Sequence, residues 1–543
     1  MPTITFAPED LQKLTGQRLD EKKLTQLLDC AKAELEAKLT TEITVKYNDT
    51  NQPYLWSPEG LARLFRCLLG KTKGIPKIKV EKPKEEIIFD KRLTKIRPYI
   101  ACFTATGKKI DDYLLKQLIQ LQEKLAENFG RKRQKISIGV YPLKNITFPI
   151  SYRAASPDET FTPLDFHQPM SLRQVLEKHP KGKEYGHLIK NENIYPVFSD
   201  ARKNILSLIP VINSEQTGKM TAGDDSLLFD TTGTDEESVN LVANIFAYAL
   251  AERGFTIQAL NIRYPHKKVA TPTLETKKIK FDENEIEKIL GIKLNANEIK
   301  TMLNKMGYDY NQGTVEIPSY RNDIMHQVDI IEDIAIAYGY ENFEPLQQTS
   351  YTIGKTFPIQ QFVDTQRNLW VGLGYQEAMS AVLSNKELLY NRMKVQDTGT
   401  VEIENPVSLT CACIRTWILP QLLDFLSKNK HVDYPQKIFE QGPVTIREEE
   451  AKDEQHLAAV SAHSTATFTE LRQAIETTLK NSNVQYKFEE YERDCFIPGR
   501  AAKIIINGKQ AGFVGEIHPA VLEQFGITMP VAGCEINLTA LRV

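Results

Sequence analysis

At 543 residues the chain is longer than one hydrophobic core sustains, and length alone points to roughly three to five domains. Charged residues make up 25% and apolar ones 41%, an ordinary soluble balance, and a net charge of −2 excludes a chain that coats nucleic acid by bulk charge. Seven scattered cysteines, of which only Cys411 and Cys413 stand close, lack zinc or redox spacing and read as reduced thiols of a cytoplasmic protein; no apolar run spans a bilayer, and PTITFAPEDLQKLTG has no signal pattern.

Taken in order, the first 86 residues read as an α/β domain. A strand-like TITF precedes two helix-periodic runs, EDLQKL and EKKLTQLLDCAKAEL, and then the strand EITVKY. In NQPYLWSPEGLARLFRCLLG, Ser57 is the expected N-cap, Pro58 suits the first helical position, and Gly70 is the stop. Gly70-Lys71-Thr72 and Gly354-Lys355-Thr356 only mimic the end of a phosphate loop, because Phe65 and Thr349 stand where its earlier glycine is required.

A charged linker around Pro83 leads into a second domain, 87–272. Its helix DDYLLKQLIQLQEKLAENF is expected to stop at Gly130, before a basic corner of Arg131, Lys132, Arg133 and Lys135. That corner reads either as a solvated helix end or as a grip for phosphates. Further on, SLLFDTTGTD is a strand ending in hydroxyls and carboxylates, followed by a helix over 236–252 closed by Gly254. Thr234 or Asp235 caps that helix, or the run forms the polar floor of a pocket together with ILSLIPVIN.

Residues 273–346 form a compact helical unit ending in VEIPSYRNDIMHQVDIIEDIAIAYGYENFEP. Ile330, Ile331, Ile334, Ala337 and Tyr338 fall on one side of its last helix, with Asp329, Glu332 and Asp333 on the other. Asp323 in the entry loop folds back onto that patch. The acids either favour the helix dipole and solubility or hold a cation, and oxygen-only ligands point to magnesium. No basic reading helix is present, so base recognition is not expected. The remainder, 347–543, alternates strands with helices around a hairpin at Asn507-Gly508, as in an antiparallel sheet flanked by helices. His431 and His518 read as structural polar groups.

Several of these strings resemble one family in collinear order. PSYRNDI, DIIEDIA and YGYENFEP, together with the N-x-P-x-L-x-S-x-E-G-L-A-R spacing that begins at Asn51, resemble the β subunit of phenylalanine–tRNA ligase in its archaeal and eukaryotic form. The resemblance implies an α+β multidomain chain: an N-terminal α/β domain, an editing (tRNA-binding) domain, a winged-helix-like domain, and a class II synthetase-like antiparallel core that is inactive. It implies Asp323, Asp329, Glu332 and Asp333 as Mg2+ ligands, with Asp333 standing where many relatives have Glu. It implies an editing pocket lined by Ser207, Asn213, Asp230 and Thr232 that hydrolyses mischarged tyrosyl-tRNA. A pocket built for a phenyl ring cannot strongly reject one bearing a hydroxyl, whereas a site that hydrogen-bonds the hydroxyl can.

The core's inactivity is written in its residues. Class II sites hold ATP through an arginine in an F-R-x-E context and a second arginine after a G-x-G-x-x run. Gly372-Leu373-Gly374-Tyr375-Gln376-Glu377 lacks the second, and Phe65-Arg66 is followed by Cys67 in the wrong domain. ATP and phenylalanine are therefore expected on an α subunit, within an (αβ)2 tetramer that binds tRNA(Phe). A non-catalytic scaffold with a dead pocket and a stand-alone RNA-binding protein are the two competing readings.

Overall fold

The structure, a computed structural model, describes residues 2–38, 41–447 and 449–542. The chain divides into two compact units, 1–346 and 347–543. Among the described residues no helix is long and apolar enough to cross a membrane.

In the first unit, Thr3–Phe6, Ile43–Tyr47 and Ala33–Lys38 form an antiparallel three-stranded sheet, with Ile43–Tyr47 in the middle and buried at every second residue. The helix Pro58–Leu68 begins as expected, the Ser57 hydroxyl accepting from the amide of Gly60, and Gly70 follows it at φ 72°. The second sheet has eleven strands. Its main path runs Ile212–Asn213, Ile205–Leu208, Tyr195–Ser199, Ile150–Ala155, Glu86–Phe89, Thr256–Arg263, Tyr99–Thr106, Ser226–Gly233, Ile136–Pro142. Val80–Glu81 also pairs with Thr256–Arg263, so the sheet takes in residues upstream of the 86/87 break read from the sequence. The helix Glu236–Glu252 lies where expected, with Asp235 accepting from the amide of Ser238 and Gly254 at φ 87°. One continuous apolar core runs from Ile4 through Phe103, Phe229 and Phe246 to Ile334, which is why three sequence modules make one unit.

Two expectations need correcting. The helix Asp112–Lys124 and its π turn Leu125–Phe129 stop at Gly130 as expected, but not by a left-handed glycine; its φ is −74°. Arg131, Lys132 and Arg133 take the left-handed conformation instead, at φ 50°, 51° and 64°, and their amides cap the carbonyls of Asn128, Glu127 and Ala126. Glycine is needed at 130 for a close approach: a Cβ there would overlap the carbonyl of Ala126. Secondly, the helix Gln327–Tyr338 has no wholly solvated acidic face. Asp333 is as buried as Ile330 and Ile334, because neighbouring elements cover that flank as well.

The second unit holds a seven-stranded sheet, ordered Gln376–Glu377, Gln436–Arg447, Ala451–Ala462, Val531–Asn537, Lys509–Ile517, Phe496–Ile506, Tyr486–Glu490. Its pairs are antiparallel except the first. Period-two alternation sends Ile438, Ala458 and Val460 to one core with the helix Leu419–Lys428, and Phe439, Leu457 and Ala459 to another with Pro358–Gly372 and Phe468–Asn481. The hairpin turns at Asn507 and Gly508, φ 51° and 78°, as the Asn-Gly pair requires. His518 is structural, as expected: its Nδ1 accepts from the amide of Ala520 at the start of a short helix.

Candidate functional site

The eleven-stranded sheet curls until Ile136–Pro142, at one end of its path, faces Ile212–Asn213 and the neighbouring Ile205–Leu208 at the other. No ladder joins them among the described residues, and side chains bridge the seam. Asn213 donates to the carbonyls of Val140 and Gly218, both at 3.3 Å, and Arg133 donates to the carbonyls of Pro210 and Val211 at 3.1 and 2.8 Å. Arg133 also lies 4.0 Å over the ring of Tyr185. The unzipped seam leaves a cavity of about 370 Å3, walled by Leu115, Leu118 and Ile119, with Arg133, Lys181 and Lys219 among the residues lining it. That volume suits a small organic group.

Three polar side chains meet inside it. The Tyr141 phenol donates to Oδ2 of Asp230 at 2.7 Å and lies 2.9 Å from Oγ of Ser207. All three residues are at most 2% exposed. Burial raises the Asp230 carboxyl to about 7, against the opposing pull of Tyr141 and Arg97, and burial likewise lifts the Tyr141 phenol above its ordinary range. The packing depends on Gly139, register partner of Asp230, where a Cβ would overlap both Asp230 Oδ2 and the Tyr141 hydroxyl.

Of the four pocket residues expected from the sequence, Ser207, Asn213 and Asp230 line the cavity. Thr232 does not. It is fully buried two residues beyond Asp230, where its hydroxyl meets Ser137 at 2.9 Å and accepts from Arg97 at 3.2 Å. Arg97 itself is buried, and desolvation lowers it to about 10. Sequence reasoning missed Tyr141, Gly139 and Ser137, although the alternation of ISIGVYP puts all three on one face of a strand.

The four acids expected to hold magnesium lie in one neighbourhood but each has its own protein partner. Arg321 sits between Asp323, to which its Nε donates at 3.0 Å, and Asp333, 2.7 Å from Nη1. Gln52 donates to Asp323 at 3.0 Å, and the Tyr308 hydroxyl donates to Asp333. Asp329 is the third residue of a capping box and accepts from the amides of Met325 and His326 at 2.8 and 2.9 Å. Glu332 pairs with Lys32 at 2.7 Å. As arranged, this donor set does not fit a magnesium ion: a guanidinium already bonds the two buried carboxylates, and the other two are engaged elsewhere. Among the described residues no group of three or more His, Cys, Asp or Glu side chains could hold a metal.

Comparison with known proteins extends over the whole chain. The family profile described as "tRNA synthetase B5 domain" matches residues 279–340, and that described as "Phenylalanyl tRNA synthetase beta chain CLM domain" matches 344–538. The phenylalanine–tRNA ligase β subunit of Pyrococcus furiosus is 40% identical, covering 100% of both chains, and that of Archaeoglobus fulgidus is 35% identical over 99% of this chain and 98% of its own. A crystal structure of an N-terminal fragment of the phenylalanyl-tRNA synthetase β subunit from Pyrococcus horikoshii superposes with a TM-score of 0.61 at 40% identity, covering 62% of this chain and 100% of the fragment. The chain belongs to the archaeal phenylalanine–tRNA ligase β-subunit family.

Proposed function

We propose that this chain is the β subunit of a phenylalanine–tRNA ligase and that the seam cavity of its first unit hydrolyses tRNA mischarged with tyrosine. The single observation that carries the hydrolytic reading is the Ser207–Tyr141–Asp230 cluster: buried oxygens at the end of an apolar cavity, at hydrogen-bonding range of a phenol hydroxyl. A tyrosyl ring would lie along Leu115, Leu118 and Ile119 and present its hydroxyl to that cluster. Phenylalanine would leave the buried polar groups without its hydrogen bond, and so would be spared. Arg133, Lys181 and Lys219 line the cavity together with Glu123 and Asp165, and Glu184 and Glu215 pair with the two lysines, so the lining adds no net charge attraction for a tRNA end. No nucleophile–base pair is assigned to the cavity, and its side chains would bind and orient the ester for a water held beside it.

Aminoacylation is assigned to an α chain, which would hold ATP and phenylalanine within an (αβ)2 assembly. In the second unit the buried Arg415 is engaged by Glu440 at 2.6 Å, Gln421 at 2.9 Å and Ser380 at 3.1 Å, and so is not free for a nucleotide. Tyr351, Ile353, Phe357, Met379, Val407 and Leu409 stand largely exposed there, which supports contact with another chain.

The full chain assembled with its α partner should deacylate Tyr-tRNA(Phe), and Asp230→Ala or Ser207→Ala should lower that rate about tenfold or more while phenylalanylation persists. Absence of deacylation by the wild-type complex would leave the scaffold reading.

A further inference from the structure

We propose that Tyr141 is the positioning residue of this cavity, and that by holding Ser207 and Asp230 it makes the site read a hydrogen-bond donor at the para position of an aromatic aminoacyl ester. This rests on the hydrolytic reading above and narrows its substrate class.

The reasoning is a proton count. A phenol has one proton, and Tyr141 gives it to Oδ2 of Asp230 at 2.7 Å. The contact between Tyr141 and Ser207 at 2.9 Å then takes its proton from the Ser207 hydroxyl. With Asp230 ionised, above about pH 7, both protons of the cluster are spent internally, and what remains toward the cavity is acceptor capacity: the lone pairs of Ser207 Oγ and the second oxygen of Asp230, which among the described residues has no other hydrogen-bond donor. A cavity end that only accepts selects a substrate that donates. Tyrosine and 4-aminophenylalanine donate from the para position. Phenylalanine and 4-fluorophenylalanine do not.

The fold enforces this arrangement. Tyr141 is 1% exposed, its ring stacks on Phe198 with centroids 6.4 Å apart, and Gly139 clears the space in which its hydroxyl meets Asp230. Removing the phenol oxygen frees the Ser207 proton and strips Asp230 of its donor. Ser207 would then donate toward the cavity, and the preference for donating substrates would fall.

The test, run at about pH 8 where Asp230 is ionised, uses the full chain assembled with its α partner and tRNA(Phe) charged with tyrosine, 4-aminophenylalanine or 4-fluorophenylalanine. Wild type should deacylate the first two at least about tenfold faster, in kcat/KM, than the third. Tyr141→Phe should shrink that ratio about tenfold, chiefly by raising KM for the tyrosyl ester more than for the fluoro ester. Ser207→Ala, which leaves the Tyr141–Asp230 bond in place, should lower rates yet keep the donor preference within about threefold. This second variant keeps the proposal decidable should Tyr141→Phe fail to fold. Equal hydrolysis of all three esters by wild type, an unchanged ratio in Tyr141→Phe, or a preference lost in Ser207→Ala would each overturn it. A wild-type complex that hydrolyses none of the esters would instead overturn the hydrolytic reading beneath it.

Discussion

Nη1 of Arg321 lies 2.7 Å from Oδ2 of Asp333, and both side chains are 2% exposed. A guanidinium thus occupies the position between Asp333 and Asp323 where a cation was expected, and it comes from the same YRND string that supplies one of the acids. Tyr54 and Tyr308 face it at 5.4 and 5.0 Å.

Arg321→Met should therefore destabilise the first unit by about 3–5 kcal/mol, since it leaves two buried carboxylates without their partner. Unfolding titrations measure this directly. In the same experiment, magnesium or a chelator should leave the wild-type midpoint unchanged; a midpoint that rises and saturates with magnesium would show that the carboxylates open to admit an ion.

Which of these relationships could be read from sequence depended on how far apart the partners lie. Asp235 and Ser238, Ser57 and Gly60, and Asn507 and Gly508 are neighbours in sequence, so local stereochemistry determines them and each stands as expected. Asp333 reads as an exposed acid from its helix alone, because the residues that bury it, Tyr308 and Arg321, are 25 and 12 positions away. Tyr141 meets Ser207 and Asp230 across 66 and 89 residues, through a sheet closure that no local period encodes. Alternation did place Ser137, Gly139 and Tyr141 on one face, but their partner face lies on strands elsewhere in the chain.

The Asp230 carboxyl, raised to about 7, has a consequence for stability. Its charged neighbour is Arg97, and the titratable groups around it are Tyr141, Cys102 and Tyr152. The folded protein binds the proton more tightly than the unfolded chain, whose carboxyl titrates near 4. The favourable contribution is therefore complete below about pH 4 and is lost as pH rises through about 7. Asp230→Asn, which carries no charge in either state, should unfold at higher denaturant than wild type at pH 8, by up to about 4 kcal/mol, with a smaller gap at pH 5. A gap that is larger at pH 5 would contradict the sign.

His456 gives a pH response in the second unit. Burial opposes its charged form, and hydrogen bonds to Glu454 and to Glu535, the latter at 2.7 Å, more than offset it and raise the imidazole to about 9. Glu535 also accepts from the amides of Ile418 and Leu419 at the start of the helix Leu419–Lys428, so the pair ties that helix to the sheet. A raised histidine contributes fully below its unfolded value near 6.5, and that contribution disappears as pH rises through about 9. Between pH 6 and 10 the second unit should lose on the order of 3 kcal/mol, and His456→Gln should flatten the profile. Unfolding followed by Trp370 and Trp417 fluorescence, with Trp56 replaced by Phe, reports on this unit.

The seam that makes the cavity is held by Arg133, a residue in left-handed backbone conformation whose guanidinium reaches Pro210 and Val211 across from it. Left-handed conformation costs a non-glycine residue about 1–2 kcal/mol, and here it is offset by capping of the preceding helix and by the bond across the gap. Arg133→Met keeps the stem and the backbone but removes the donors to the two carbonyls, so the strands should part without global unfolding. Amide exchange in 205–213 and 136–142 should quicken severalfold while the central strand Tyr99–Thr106 keeps its protection. Replacing Arg133 with Gly relieves the backbone while losing the same bonds, so it should show the same local opening with a smaller loss of overall stability. Uniform acceleration across the whole sheet in both variants would mean that Arg133 supports the domain generally and that the seam is closed by something else.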